Sequence, residues 1–486
     1  MPVSADQLGA SPGVVARQTG VRSEGRSPRL LMRTAASLFL AAMSIAGPML
    51  SSSSRAQEPP WKVGLASVRI TPDEPVRMSG YASRKEPSSG VASDLFAKAL
   101  ALEDNSRRRG VIVTTDLIGF RASIAEPTCA LIMEKTGLQR NQILINSSHT
   151  HTGPTLGLDA AELDFPEDHA RATLRYTKGL QKKIVQIVVD AFEQLEPARL
   201  SRGVGVVSFV MNRREFTDRG VILGFNPRGH VDRSAPVLRI DSLDGELRGV
   251  LFGAACHNTT LGGKHFAISG DFAGYAQAVI EREHAGVQAM FMQGCAGDAN
   301  PFPRGEEAIA RKHGAVLGQE VLRVLKTKLA PVRGPLKMLH QSVALPLQSR
   351  LTKADIERLG QGRGGWRSFV ADGMLEALQR DGKLPDSYST PIALWQFGED
   401  LTLVGLSGEV VVDYVTLLED ALGPRRLWIA AYCNDVYGYL PSARVLKQGG
   451  YETRGLYYGG FGLFSPKAQD VLVEQVKQMA ATARSN

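Results

Sequence analysis

Residues 143–154 read ILINSSHTHTGP. Ile143–Ser147 is predicted to be a short apolar strand, and it leads directly to His149 and His151. Because side chains alternate along an extended backbone, both imidazoles of a His-x-His pair can point to the same side. Zinc favours such nitrogens, and catalytic zinc sites use about three protein ligands and one open position. By itself the pair is weak evidence, since two histidines also occur at strand ends that bind no metal.

Four other apolar segments end in a similar way. They are Leu251–Ala255 before His257, Ala289–Gln293 before GCAGDANP at 294–301, Leu401–Leu406 before Glu409, and Trp428–Ala431 before Tyr439. Two imidazoles, a carboxylate and a phenol from these ends could form a metal site. Periodicity alone does not show that the ends converge.

Strand-like and helix-like segments follow one another from Trp61 onward. Val204–Met211 is interpreted as one strand, and an amphipathic helix is predicted over Arg171–Leu195. The charged, Gly-containing stretch Leu351–Arg380 is interpreted as a weakly helical, loop-like insertion. We therefore predict an α/β fold of mixed β-sheets with flanking helices, in one large catalytic domain over residues 57–486.

Residues 1–56 have the character of a leader with a secretory signal peptide. Met32 and Arg33 precede an apolar run, Ala35–Ala46, and a small-x-small cleavage site at Ser54–Ala56. The run is too short to span a membrane. We expect Met32 to be the true start and the mature protein to be exported to a periplasm or to the medium.

The formal net charge of +8 is partly a property of the leader, whose six Arg and two acidic residues account for four of the charges. The rest of the chain has no strong basic run beyond Arg107–Arg109, so nucleic acid is not an expected partner. No later stretch reaches the roughly 18 apolar residues of a transmembrane helix. The expected partner is a small-molecule or lipid substrate, with at most transient contact with a membrane surface.

Other catalytic signatures are missing from the sequence. It contains no HExxH, Walker loop or strand–GxGxxG–helix unit, and its GxSxG lies in the leader at Gly9–Gly13. The cysteines fit no CxxC zinc framework; export permits disulfides, and buried free thiols are the other interpretation. The four are Cys129, Cys256, Cys295 and Cys433.

The motifs, taken together and in order, resemble the catalytic domain of neutral/alkaline non-lysosomal ceramidases. The matching stretches are KVGLASVRITP (62–72), RMSGYASR (77–84), SSHTHTGP (147–154), ACHNTT (255–260), SGDFAGYA (269–276), GCAGDANP (294–301), SGE (407–409), YGYLP (437–441) and GGYE (449–452). The resemblance covers about Trp61 to the C-terminus, which makes it far more specific than any single motif. It implies a single zinc ion and hydrolysis of an amide bond by metal-activated water.

The resemblance also implies roles for particular residues. Zinc in that family is held by two His, a Glu and a Tyr, which correspond here to His149, His257, Glu409 and Tyr439. The second His of the HTH motif, His151, matches the family's acid/base residue. Two further residues match groups that contact the reacting centre, namely Arg213 and Tyr451.

Each assignment has a plainer interpretation. His257 could be a core histidine, and Glu409 could cap a helix predicted over Val410–Leu422. Tyr439 could serve packing alone, since a phenol is an uncommon zinc ligand that needs metal charge to lower a pKa near 10. Arg214 competes with Arg213 for its role.

The sequence departs from the family's pattern in two places. Asn300 stands where the family motif GDxSP has a Ser, which puts a covalent acyl-enzyme route in doubt and leaves Asn300 as a candidate hydrogen-bond donor. The chain also ends soon after a helix predicted over Lys467–Ala480, so we expect no immunoglobulin-like C-terminal domain. Docking to a membrane and ceramide itself as the substrate are therefore in doubt.

The resulting hypothesis is a zinc-dependent hydrolase of an amide bond in an N-acyl lipid or ceramide-like substrate. Two alternatives stay open. One is a catalytically silent, zinc-containing relative that binds a lipid or a glycan, and the other is an esterase that uses the same site.

Overall fold

The computed structural model describes residues 61–485 except 161, 162, 164, 362–364, 457–461 and the side chains of 365–369. The predicted leader, residues 1–56, lies outside the described residues. The strands are β1 (Trp61–Arg69), β2 (Gly90–Val91), β3 (Phe96–Asp104), β4 (Arg109–Thr115), β5 (Ile143–Ser147), β6 (Glu196–Val206), β7 (Val210–Thr217), β8 (Gly220–Asn226), β9 (Ser234–Asp241), β10 (Leu247–Ala254), β11 (Ala267–Ile268), β12 (Gln288–Gln293), β13 (Ala299–Pro301), β14 (Ala330–Val332), β15 (Leu336–Pro346), β16 (Ser387–Phe397), β17 (Leu401–Leu406), β18 (Glu409–Val410), β19 (Leu427–Ala430) and β20 (Tyr439–Leu440).

The helices of the described residues lie between these strands and at the end of the chain. They are α1 (Ala122–Thr136), α2 (Glu167–Glu193), α3 (Asp271–Glu283), α4 (Glu307–Leu325), α5 (Lys353–Gly360), α6 (Gly365–Asp381), α7 (Asp413–Leu422), α8 (Ala443–Gln448) and α9 (Lys467–Ser485). A short 3₁₀ helix covers Tyr451–Thr453. Within the described residues, no helix is both long and apolar enough to cross a membrane.

A nine-stranded sheet forms the larger of the two main layers of strands. Its order is β12-β10-β9-β6-β1-β3-β4-β5, with β14 paired to β6. Most neighbours are antiparallel, but β4–β5 and β10–β12 are parallel. These two parallel pairs lie at opposite ends of the strand order, and they lead into the segments that contain His149, His257 and Asn300.

The alternation of side chains gives this sheet two different faces. On β3, Ala97 and Ala99 face helices α1 and α2, whereas Leu100 and Leu102 belong to the core on the other face. Small residues on the helix side allow α2 to pack closely. At Gly64 on β1, an added Cβ would overlap the backbone oxygen of Ala191 on that helix.

The second main sheet has the order β15-β16-β17-β19 and covers the inner face of the first. Trp395 and Phe397 pack into the core between the two sheets. Leu394 and Val404 face the opposite way and pack in one cluster with residues of α7 and α9. The result is four layers in the order helices, sheet, sheet, helices, which confirms the predicted mixed α/β fold.

Two segments differ from their sequence predictions. Val204–Met211 is not one strand, because β6 ends at Val206 in the large sheet and β7 begins at Val210 in a three-stranded sheet of order β13-β7-β8. Leu351–Arg380 is helical, as predicted, but more regular than a loop-like insertion, because it forms α5 and most of α6 around a small apolar cluster that includes Ile356 and Met374. Four glycines within 360–365 interrupt the helical periodicity in the sequence.

The four cysteines are buried and free.

Candidate active site

Buried amide side chains join the two ends of the nine-stranded sheet. On β5, Asn146 Oδ1 accepts a hydrogen bond from the backbone N–H of Gln293 on β12 (2.9 Å), and Asn146 Nδ2 donates to the carbonyl oxygen of Ala431 (2.7 Å). Gln293 Nε2 donates to the carbonyl oxygens of Ser148 (3.0 Å) and Cys256 (2.8 Å). The segments that follow β5, β10 and β19 therefore converge, although β5 and β12 are the outermost strands of the sheet order.

His149 and His257 meet at this junction, with ring centroids 4.7 Å apart. The backbone of His149 has φ 62°, in the left-handed region, which costs a residue other than glycine about 1–3 kcal/mol. Nδ1 of His149 donates to the carbonyl oxygen of Ile118 (2.5 Å), and Nδ1 of His257 donates to that of Ala296 (2.6 Å). A carbonyl oxygen only accepts, so Nδ1 of each ring carries a proton. A neutral ring then has a lone pair at Nε2.

The Glu409 carboxylate faces both Nε2 atoms. Its Oε2 lies 3.1 Å from Nε2 of His257 and 3.3 Å from Nε2 of His149. Burial and the cation of Arg213 lower the pKa of His257 to about 3, so this imidazole is neutral. Burial by itself raises the pKa of Glu409, but the two histidines outweigh it and hold the pKa well below its usual range. The carboxylate is therefore ionised.

These donors fit a divalent cation. Attraction to positive charge at the two histidines keeps Glu409 ionised, and because the His257 ring is neutral, a cation bound between the Nε2 atoms would supply that charge. Imidazole and carboxylate are ordinary ligands of zinc. His151 Nε2 lies 3.1 Å from His149 Nε2, and ligand atoms of His149, His151 and His257 lie within 4.8 Å of one another. His151 could therefore be a third nitrogen ligand as well as a proton carrier.

His151 lies on the less buried side of this cluster. The ring of Tyr81 approaches it edge-on, with centroids 5.1 Å apart. A Cβ at Gly80 would lie within 2.6 Å of the imidazole, and Gly80 has φ +92°, so only glycine suits this position. Burial and then His149 lower the pKa of His151 well below its ordinary value, which keeps the ring neutral. Its Nδ1 is buried and has no hydrogen-bond partner among the described residues.

Arg213 links this cluster to the remaining predicted residues. Its Nη2 donates to the Tyr439 hydroxyl (3.0 Å), its Nη1 lies 3.3 Å from His257 Nε2, and its Nε donates to Glu452 Oε1 (2.9 Å). Burial alone would lower the pKa of Arg213, but Tyr439 and Glu452 raise it well above its ordinary value. Arg214 points to the same carboxylate, with Nη1 2.6 Å from Glu452 Oε2, and not to the histidines. This geometry favours Arg213 over Arg214 for a role at the reacting centre.

Tyr439, Tyr451 and Asn300 border the same space. Tyr439 is adjacent to Glu409 because β18 and β20 pair in parallel, and burial raises its pKa well above the ordinary value. Tyr451 contacts the Tyr439 ring at 5.3 Å between centroids. Asn300 Oδ1 accepts from the hydroxyl of Thr259 (3.1 Å) and lies 3.5 Å from Arg213 Nη1. The structure thus brings together all eight residues that the sequence analysis proposed.

Several buried residues that support this site were not singled out from the sequence. Asp298 accepts from the Val412 N–H (2.8 Å) and from Asn212 Nδ2 (3.3 Å), which joins the Glu409 and Arg213 segments. Burial raises the pKa of Asp298 to about 6. Glu452, Asp298 and Gln293 lie in or next to the motifs GGYE and GCAGDANP, so their position in those motifs was the available signal.

Comparisons with known proteins show the family of this chain. The sequence profile described as "Neutral/alkaline non-lysosomal ceramidase, N-terminal" matches residues 61–316, which is more than half of the chain. The chain belongs to this ceramidase family. The profile contains the segments that supply His149, His151, Arg213, His257 and Asn300. Glu409, Tyr439 and Tyr451 lie beyond its end, so their assignment depends on the collinear motifs and on the geometry above.

Two individual ceramidases are 26% and 28% identical to this chain over the aligned residues. Neutral ceramidase of Pseudomonas aeruginosa is 28% identical over 270 residues, which are 52% of this chain and 38% of that protein. Neutral ceramidase B of Dictyostelium discoideum is 26% identical over 253 residues, or 47% of this chain and 34% of that protein. The match therefore spans less than two-fifths of each of these relatives.

The ceramidase fold extends beyond the residues of the profile. The crystal structure of neutral ceramidase from Pseudomonas aeruginosa superimposes with a TM-score of 0.67 over 88% of this chain and 75% of that chain, at 21% identity. A ceramidase complexed with C2 gives a TM-score of 0.68 over 88% and 76% of the two chains, at 22% identity. At this identity the likeness shows a shared fold.

Proposed function

We propose that this protein is a zinc-dependent hydrolase that cleaves the amide bond of an N-acyl lipid of the ceramide type. The observation that carries the proposal is the convergence of Glu409 Oε2 on the Nε2 atoms of His149 and His257, at 3.3 and 3.1 Å. Both rings are fixed through Nδ1 by backbone carbonyls, so their free nitrogens are already oriented toward a common point. Membership of the ceramidase family supports the same chemistry.

His149, His257 and Glu409 would hold the ion, with Tyr439 beside them. A zinc ion bound there supplies Lewis acidity, which polarises a carbonyl and activates water at neutral pH. The protein provides the rest. Neutral His151, beside His149, can accept a proton at a ring nitrogen and return it to the leaving amine.

Arg213 would stabilise the negative charge that develops on the carbonyl oxygen. Its guanidinium is buried and stays protonated, and Nη1 faces His257 and Asn300. A cation that is held in place by Glu452 needs little reorganisation during the reaction. Asn300 accepts a hydrogen bond from Thr259 and lies beside Arg213, so it would orient the arginine and not act as a nucleophile.

An apolar part of the substrate has room next to Tyr451. A cavity of about 520 Å³ is lined by residues on both sides of the Tyr451–Thr453 helix and by residues of α5, α6 and α8. Its lining residues include Leu359, Val370, Ala371, Leu446, Gly450 and Arg454. Arg454 stacks on the Tyr451 ring, with its guanidinium carbon 4.2 Å from the ring centroid. The apolar side chains of this cavity suit the hydrocarbon chain of an N-acyl lipid.

The decisive experiment compares turnover with metal content in the same preparation. Wild-type protein, loaded with zinc, should hydrolyse a short-chain fluorescent ceramide, and removal of the ion by a chelator should abolish this activity until zinc is restored. Hydrolysis of matched esters but not of amides would show an esterase. Zinc-loaded protein that turns over no amide or ester, but gains activity on Asn300→Ser, would show a silent binding relative.

We also propose that the protein is exported and that its mature form begins near Gln57. The signal-like sequence of residues 32–56 supports this. N-terminal sequencing of secreted protein should find a start close to Gln57. Secreted material that retains Met32 would contradict the proposal.

A further inference from the structure

A group of large apolar side chains is exposed next to the candidate active site. They are Phe216 (58% exposed), Ile222 (46%), Leu223 (48%), Phe225 (42%) and Phe302 (49%). The first four belong to the hairpin of β7 and β8, and Phe302 follows β13. The rings of Phe225 and Phe302 are in contact, with centroids 4.5 Å apart, so the hairpin and the β13 segment form one surface. We call these five residues the apolar hairpin patch.

The apolar hairpin patch borders the residues that we assign to the reaction. Strand β7 contains Arg213 three positions before Phe216, and β13 contains Asn300 two positions before Phe302. The hairpin also packs against the segment that contains Tyr451. Val221 of β8 lies about 3.0 Å from the position that a Cβ on Gly450 would occupy, and Gly450 directly precedes Tyr451. A surface that binds the patch would therefore lie at the edge of the site.

The geometry of β8 favours a fluid apolar phase over a folded protein partner. Because side chains alternate along a strand, Ile222 points to one face of β8 and Leu223 and Phe225 to the other. A rigid partner would cover one face, whereas lipid chains can surround both. A standard protein interface also uses about 20–30 residues on each side, far more than the five of this patch.

Positive charges lie beside these apolar residues. Arg219 is in the turn between β7 and β8, Arg228 follows β8, and Arg304 follows Phe302; all three are exposed. Arg304 Nε donates to the carbonyl oxygen of Thr259 (2.6 Å), and its Nη2 donates to the Tyr81 hydroxyl (3.2 Å). Asp218 in the turn and Glu306, two positions after Arg304, are exposed acidic residues of the same segments, and Glu215 on β7 is partly exposed. Apolar side chains flanked by arginines suit a lipid surface with anionic headgroups.

We propose that the apolar hairpin patch inserts into a lipid–water interface and places the active site against it. The identification of the delivered substrate as an N-acyl lipid rests on the function proposed above. The insertion itself is independent of catalysis, since it depends on Phe216, Ile222, Leu223, Phe225 and Phe302 and not on the histidines.

The test is binding of the full chain to vesicles of phosphatidylcholine, with and without phosphatidylglycerol, measured by co-sedimentation. The Ile222→Ser/Leu223→Ser variant should bind about ten-fold or more weakly than wild type, because both substitutions remove apolar area from the lipid phase. Leu131→Ser/Val471→Ser is the matched control. These residues are 39% and 37% exposed on α1 and α9, and their replacement should leave binding unchanged. A Phe302→Ser variant, outside the hairpin, should also bind more weakly.

Several results would overturn the proposal. Vesicle binding that is equal in wild type and in both patch variants, with circular dichroism showing all of them folded, would remove the patch from the interface. Wild type that does not bind vesicles but forms a dimer, which Ile222→Ser/Leu223→Ser dissociates in sedimentation equilibrium, would make the patch an interface between copies of this chain.

The same variants separate this proposal from the proposed function. For Ile222→Ser/Leu223→Ser, the ratio of activity on vesicle-embedded ceramide to activity on a water-soluble short-chain ceramide should fall about ten-fold or more. Protein that binds vesicles through the patch but hydrolyses neither substrate would refute the function alone. Protein that hydrolyses the soluble substrate but binds no vesicles would refute the docking surface alone.

Discussion

Replacement of Glu452 by Gln tests how the site maintains its buried positive charges. Glu452 Oε1 lies 2.9 Å from Arg213 Nε and Oε2 lies 2.6 Å from Arg214 Nη1, and the three side chains are at most 5% exposed. Glu452→Gln leaves two buried guanidinium groups without their shared carboxylate. Removing one partner of a buried ion pair costs about 3–5 kcal/mol. Since the amide oxygen of Gln can still accept one hydrogen bond, we expect a loss near the lower limit, about 3 kcal/mol of the free energy of unfolding.

The assay is equilibrium urea unfolding at pH 7, with kcat/KM measured on the same preparation. Because Arg213 would be displaced from Tyr439 and His257, we expect kcat/KM to fall by about 10² or more. Glu474→Gln is the control, since it removes an exposed carboxylate paired with Lys477 at 2.9 Å and should change neither quantity measurably. If Glu452→Gln has the same free energy of unfolding and the same kcat/KM as wild type, the buried charge network does not support the site in the way we describe.

Three further substitutions test separate parts of the account. His151→Ala should keep its zinc and lose about 10²–10⁴ in rate, whereas loss of metal and activity together would make His151 a ligand. Asn300→Ala should lose at most about 10²–10³ in rate, since it removes one group that positions Arg213; complete inactivation with zinc retained would contradict this role. Burial raises the pKa of Asp435 to about 6, against about 4 in the unfolded chain. Because the folded state prefers protonated Asp435, this group adds to the free energy of unfolding below pH 4. The contribution is lost as the pH rises through 6. The free energy of unfolding of Asp435→Asn minus that of wild type, measured in urea, should therefore increase by about 2–3 kcal/mol from pH 4 to pH 7. A difference that does not change with pH would refute this explanation.

Local sequence patterns were sufficient for much of the fold. The predicted strand Ile143–Ser147 is β5, and the long amphipathic helix lies over Glu167–Glu193, close to its predicted range. Local patterns were not sufficient where the assignment of a strand depends on tertiary contacts. Val204 and Met211 belong to different sheets because the chain leaves the large sheet after Val206, and no local period reports which sheet a residue joins.

The convergence of the site was also beyond local patterns. His149 and His257 follow β5 and β10, which lie toward opposite ends of the sheet order, and they meet because Asn146 and Gln293 join those ends. The family motifs identified the residues of the site, but they did not show which of these residues are in contact. Glu452, which holds Arg213, lies in the quoted motif GGYE, but its buried position between two arginines is a property of the folded chain.

The most direct test of the proposed zinc site is the metal content of purified protein, measured by inductively coupled plasma mass spectrometry on wild type and on the single Ala variants of His149, His257 and Glu409. Wild type should contain about one zinc per chain. Each variant, still folded by circular dichroism, should lose most of it, because each loses one of the groups that converge within 3.3 Å of Glu409 Oε2, or that carboxylate itself. Full zinc occupancy in all three variants, or wild-type protein that binds no zinc when the ion is supplied, would contradict the account.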